Sequence, residues 1–113
     1  LMYDVRPGRV TEEVRRAADY GLPECTPDDL KGGDAAHNAA RLRDVFERRD
    51  RGAHRDALLM GASLVLETIG AVASPRVGVV RPRDAIDSGA ARRLLDRLAE
   101  FSARRAPAAG AKA

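Results

Sequence analysis

The sequence predicts a β-hairpin or strand pair followed by three to four helices, and three observations carry that expectation. Arg6-Pro7-Gly8 separates two short stretches, Leu1 to Val5 and Arg9 to Val14, as a tight connection between strands would. Helix-entry signals recur at Thr26-Pro27, at Asp34 and at Ser74-Pro75. Between and after them, apolar residues return at steps of three and four, the spacing that places them on one side of a helix.

Composition bounds the rest. The chain has 113 residues, 44% hydrophobic and 33% charged, with a formal net charge of +3. That balance belongs to folded chains rather than disordered ones. No run reaches the roughly 18 apolar residues of a membrane span, so a transmembrane role is excluded. One cysteine, Cys25, excludes an internal disulfide framework. Aromatic residues are only Tyr3, Tyr20, Phe46 and Phe101, and there is no Trp. The core therefore falls to Ala, Leu, Val and Ile, which bury less area per residue, and a core so built is thin at this length. The expectation is a segment of something larger. Leu1 points the same way, because leucine does not begin a translation product. No basic-then-apolar leader is visible, and the expected location is cytoplasmic.

Each element has its own cause. Proline presets φ and glycine accepts positive φ, so Pro7-Gly8 turns the chain between the two arms. An isolated hairpin is marginal in water, and these strands are expected to extend a larger sheet. Thr26 can cap, Pro27 suits a first helical position, and Asp28 and Asp29 complement a helix N-terminus, which predicts a short helical turn closed by Gly32. Asp34 caps a helix from about Ala35 to Arg48, with Ala35, Ala39, Leu42 and Phe46 on one stripe. The segment from His54 to about Val72 is apolar nearly all round, with Gly61, Ala62 and Ser63 at its middle, so it is expected to be buried on several sides. Ser74-Pro75 starts a helix toward Ile86. Pro82 lies inside it and removes a backbone donor aimed at the Gly78 carbonyl, which predicts a kink or a split. A last helix spans about Ala90 to Ala103, with Leu94, Leu95, Leu98 and Phe101 as its stripe and Arg92, Arg93, Asp96, Arg97 and Glu100 as its wet face. Residues 1–102 form the expected domain segment, and 103–113, low in complexity, the expected disordered tail.

Candidate sites are few. Gly32-Gly33-Asp34 has the glycines of an anion-binding loop, yet no Lys-Ser/Thr follows, and Asp34 would itself occupy the positive helix end. Asp28-Asp29 offers two oxygens to Mg²⁺ but reads more simply as a dipole complement. His37 and His54 lie far apart without acidic residues at ligand spacing to both, and Cys25 has no neighbouring histidine. Eighteen of the 20 basic residues are arginine. Arg41, Arg43, Arg48, Arg49, Arg51 and Arg55 alternate with Asp44, Glu47, Asp50 and Asp56, and no aromatic residue punctuates them for base stacking. That pattern is a mixed-charge helix surface and argues against nucleic-acid binding. Neither Ser63 nor Ser88 has a histidine close in sequence, so no nucleophile–base pair stands out.

The order of short motifs is informative. Asp19-Tyr20-Gly21-Leu22-Pro23 is followed by Asp29-Leu30-Lys31-Gly32-Gly33-Asp34-Ala35-Ala36 and Asn38-Ala39. Then come Gly52-Ala53-His54-Arg55-Asp56-Ala57-Leu58-Leu59, Gly78-Val79, and Arg83-Asp84-Ala85-Ile86-Asp87-Ser88-Gly89-Ala90-Ala91. Over roughly residues 2 to 102 this succession resembles the C-terminal segment of the large α/β domain of anthranilate phosphoribosyltransferase, a nucleoside phosphorylase/phosphoribosyltransferase-like fold. Two departures concern packing: Pro82 stands where the family has a helix-compatible residue, and Gly61 where it has Asn or Ala.

The resemblance implies a glycosyltransferase of tryptophan biosynthesis. Such an enzyme moves phosphoribosyl from phosphoribosyl pyrophosphate to the amine of anthranilate, with Mg²⁺ on the leaving pyrophosphate. It also implies a homodimeric parent with these two small-molecule substrates and no nucleic-acid or membrane partner. The family's diphosphate loop, its Lys-His-Gly-Asn stretch, its anthranilate-binding arginine and its acidic Mg²⁺ pair map onto no residue of this chain. No catalytic, substrate-binding or metal residue is therefore assigned, and the segment is expected to be scaffold, inactive alone. The alternative is a noncatalytic interaction module derived from the same fold.

Overall fold

The computed structural model describes residues 1–105. Strands β1 (Met2–Arg6) and β2 (Arg9–Glu13) pair antiparallel, with Val5 opposite Val10 and Arg6 opposite Arg9. The two-residue connection is Pro7-Gly8, and Gly8 takes φ +73°, a conformation that favours glycine. Side chains alternate across a strand. Met2 and Asp4 are accordingly half-buried on one face, while Tyr3, Val5 and Val10 form an apolar face open to solvent.

Two 3₁₀ turns follow, Ala17–Tyr20 and Pro27–Leu30, the first of them not anticipated from the sequence. Both are closed by an aspartate three residues on. Asp19 accepts from the Arg16 N–H at 2.8 Å, and Asp29 accepts from the Thr26 N–H and hydroxyl at 2.7 and 2.8 Å. The helices are α1 (Ala35–Phe46), α2 (Ala53–Thr68), α3 (Pro75–Gly78), α4 (Val80–Asp87) and α5 (Ala90–Arg105). Asp34 caps α1 as expected, accepting from the His37 N–H at 2.8 Å. The helix stops two residues earlier than its sequence pattern indicates, because Arg48 turns to φ +64°.

Helix α2 is the hub. Tyr20, Leu22, Val45, Leu59, Val79 and Ile86 make the buried core, with Ala17, Phe46, Met60 and Ala91 packed against it. Where α2 crosses α3, the Ser63 hydroxyl donates to the Pro75 carbonyl at 2.9 Å. A Cβ on Gly78 would lie 2.1 Å from that oxygen, so only glycine permits the crossing. Gly61 serves no such purpose, since a Cβ there would meet open space.

Pro82 divides its helix rather than kinking it. The helix ends at Gly78, and α4 begins at Val80, so Pro82 sits in the first turn of a new helix, where its missing N–H has no intrahelical partner to lose. The last helix departs further from expectation. It runs through Arg105, so 103–105 are helical rather than tail, and the remainder of the expected tail lies outside the described residues. Of its predicted wet face, Arg93, Arg97 and Glu100 are exposed as expected, whereas Arg92 and Asp96 are half-buried, and of its predicted stripe only Leu95 is half-buried. Arg92 pairs with Glu47, the residue that ends α1, and with Asp96, and Asp96 also meets Arg43 of α1 at 3.6 Å. Leu94, Leu98 and Phe101 are 63%, 60% and 52% exposed. The expected burial of α2 on several sides is likewise only partly realised: Leu59 and Ser63 are buried, whereas Val65 and Ile69 face solvent.

Candidate functional site

The glycine pair at the entrance of α1 is a structural junction. The Asn38 side chain grips Gly33 from both sides: its Oδ1 accepts from the Gly33 N–H and its Nδ2 donates to the Gly33 carbonyl, each at 2.9 Å. A Cβ on Gly33 would come within 3.0 Å of the His37 ring, and one on Gly32 within 3.1 Å of Asn38 Oδ1. With the Gly33 N–H taken by Asn38 and the His37 N–H by Asp34, the motif shapes a loop-to-helix turn and has little left for an anion.

The acidic candidates are similarly committed. Asp29 holds the Thr26 cap, and those hydrogen bonds keep its carboxyl below the usual range. Asp28 stands beside it without a converging third ligand. Among the described residues, no group of three His, Cys, Asp or Glu side chains comes together. A Mg²⁺ ion wants near-octahedral oxygen ligation, and the residues present do not fit one.

Three other clusters gather charge. Arg15 bridges strand and helix: it pairs with Glu13 at 3.0 Å and with Glu67 of α2 at 3.1 Å, which pushes the guanidinium further toward its charged form. Buried Tyr20 lies in this field, and burial raises its hydroxyl's pKa, with the Glu67 charge adding to the effect. Asp87 is clamped from two elements, by Arg55 at 2.8 Å on its carboxylate and by Arg48 at 3.2 Å on its carbonyl. Burial pushes the half-buried Asp56 up against the opposing pull of Arg55 and Arg83. His54 sits 3.5 Å from Asp50. Ser63 donates to a backbone carbonyl and has no base beside it; Cys25 is exposed. Of the arginines of α1 and its exit, Arg49 pairs with Asp44 at 2.7 Å and with Glu47, and Arg43 with Asp96 of α5 at 3.6 Å. No helix among the described residues is long and apolar enough to cross a membrane.

The motif residues described above are engaged in turns, caps and helix crossings. The chain belongs to the glycosyl transferase family, a/b domain, whose model matches residues 1–92. Its curated relatives include the anthranilate phosphoribosyltransferase of Azorhizobium caulinodans, 45% identical over 100 residues, covering 88% of this chain and 29% of the relative. The anthranilate phosphoribosyltransferase of Methylorubrum extorquens is 49% identical over 84 residues, covering 74% of this chain and 25% of the relative. That of Geotalea uraniireducens is 38% identical over 99 residues, covering 88% and 28%. The chain therefore spans less than a third of the length of these relatives. No solved structure matches it.

Proposed function

We propose that this chain is the C-terminal framework of an anthranilate phosphoribosyltransferase, which transfers phosphoribosyl from phosphoribosyl pyrophosphate to anthranilate in tryptophan biosynthesis. The observation that carries the reading is the use made of its motif residues. Asn38 on Gly33, Asp34 on α1, Ser63 against Gly78 and Arg55 on Asp87 each stabilise a turn or a crossing, and none is left aimed at an open site. Similarity to enzymes of that name over most of the chain supports the parent activity. The substrate contacts, the Mg²⁺ ligands, the homodimer contacts and the cytoplasmic setting belong, in this proposal, to the whole enzyme rather than to these residues.

The experiment is enzymatic. The purified chain is mixed with phosphoribosyl pyrophosphate, anthranilate and Mg²⁺, and loss of anthranilate fluorescence is followed. No turnover is expected from the chain alone. Turnover is expected once it is co-expressed with the part of the Azorhizobium caulinodans relative outside the 29% that this chain covers. Turnover by the chain alone overturns the framework role. A folded chain that fails to restore activity in the pair favours the noncatalytic module instead.

A further inference from the structure

Strands β1 and β2 form a two-stranded sheet with no third strand among the described residues, so each has a free edge. The register decides what each edge offers. Arg6 stands opposite Arg9 across the two-residue turn, Asp4 opposite Thr11 and Met2 opposite Glu13. Antiparallel pairs alternate between bonded and open, and the pair that closes a two-residue turn is a bonded one. The N–H and C=O of Tyr3 and Val5 therefore point away from β2, and those of Val10 and Glu12 away from β1.

The surroundings of the two edges differ. All of β1, Met2–Arg6, lines a groove whose far wall is Leu64, Glu67 and Thr68 of α2. A strand that turned only one face to the groove would line it with alternate residues, so β1 presents its edge. From β2 only Glu13 reaches this groove, and all five residues of β2 are exposed. Glu67 adds a second unmet group. Its Oε2 accepts from Arg15 at 3.1 Å, while its Oε1 is buried with no donor among the described residues. Strand-edge carbonyls and a buried carboxylate oxygen both require N–H donors. A helix bonds most of its own N–H groups internally, whereas an extended segment offers free N–H and C=O groups at the spacing of β1.

We propose that a β-strand from the part of the parent enzyme outside this chain enters this groove, pairs with the free edge of β1 and is covered by α2. The inference rests on the framework reading above and names the edge through which the framework joins its enzyme. The occupant follows from the share of the domain that is present. The family is an a/b domain, this chain covers 29% of the Azorhizobium caulinodans relative, and its described residues hold one two-stranded sheet, which is marginal by itself. Main-chain bonds along β1 then supply the affinity, as in other cases of strand addition.

The test compares two prolines on opposite edges. Tyr3 and Glu12 stand opposite each other in register and both are exposed, so each proline removes one outward N–H and leaves the β1–β2 bonds in place. Each tagged chain is co-expressed with the part of the Azorhizobium caulinodans relative outside that 29%, and the amount captured is measured. Tyr3→Pro is expected to lower capture at least about tenfold, and Glu12→Pro by less than about twofold. Circular dichroism verifies that both variants fold. In the unsubstituted pair, amide hydrogen exchange is expected to slow at Tyr3 and Val5 and to stay fast at Val10 and Glu12. Equal loss from the two prolines, no loss from Tyr3→Pro, or protection at Val10 and Glu12 instead overturns strand addition at β1 and leaves the framework role standing. An unsubstituted chain that captures nothing overturns the framework role and this proposal with it. A chain dimer that Tyr3→Pro dissolves assigns the edge to a second copy and overturns the proposal.

Discussion

At the scale of single residues, the two glycines of the α2 region behave oppositely, and the reason is what a methyl group would touch. Gly78 lies against Ser63, so Gly78→Ala forces α2 and α3 apart and is expected to cost about 2 kcal/mol in urea denaturation. Ser63→Ala in the same chain should restore part of that loss, because it removes the oxygen nearest the new methyl. Gly61 faces open space inside a helix, and Gly61→Ala is expected to stabilise by about 1 kcal/mol through backbone entropy. Tyr20 adds a pH dependence. Burial raises the pKa of its hydroxyl above the ordinary 10.0, so the folded state favours the neutral form. Its contribution is complete below pH 10 and is lost as pH rises through the folded-state value. Denaturation midpoints should therefore fall above pH 10, and Tyr20→Phe should flatten that fall. An unchanged alkaline slope in the variant would assign it to another group.

At the scale of elements, Pro82 shows how a helix accommodates a residue it cannot hold in its interior. The chain ends α3 at Gly78 and restarts at Val80, so the proline falls where no backbone hydrogen bond is forfeited. An interior proline costs about 3 kcal/mol, whereas Pro82→Ala is expected to change stability by less than about 1 kcal/mol. A gain near 3 kcal/mol would mean that the two helices are one strained helix. The hairpin depends on a different device: Arg15 ties it to α2 through Glu67, and the strands contribute little burial of their own. Legibility in the sequence varied with the range of the cause. The Pro7-Gly8 turn, the Asp34 cap and the Pro82 break follow from one or two residues and were readable. The Ala17–Tyr20 turn was not read, although Asp19, three residues past Arg16, was its available signal. The motif junction at Gly32-Gly33 was legible as a turn, but the Asn38 clamp that holds it is a contact five residues away that spacing alone did not reveal.

At the scale of the molecule, the chain is extended for its size. Its radius of gyration is 17.1 Å, against about 13 Å for a compact domain of this length. Apolar residues on the outer hairpin face, on α2 and on α5 remain open to water. In isolation the chain is expected to unfold at low urea concentration with a shallow transition and to bind a hydrophobic dye such as ANS before it unfolds. A sharp transition without dye binding would show that these faces close on themselves.

Local order was written in the sequence, because turns, caps and helix breaks are decided by residues within a few positions of one another. The succession of short motifs likewise carried the family, since each motif answers a local geometric need. Which faces of those elements meet was decided only in three dimensions. The amphipathic pattern of α5 predicts a buried stripe of Leu94, Leu95, Leu98 and Phe101, yet only Leu95 of these is half-buried; the helix meets the rest of the chain through Ala91 and Leu95 together with Arg92 and Asp96, which pair with Glu47 at the end of α1 and Arg43 within it. Periodicity identifies a helix's two sides, but the neighbour it docks against chooses between them.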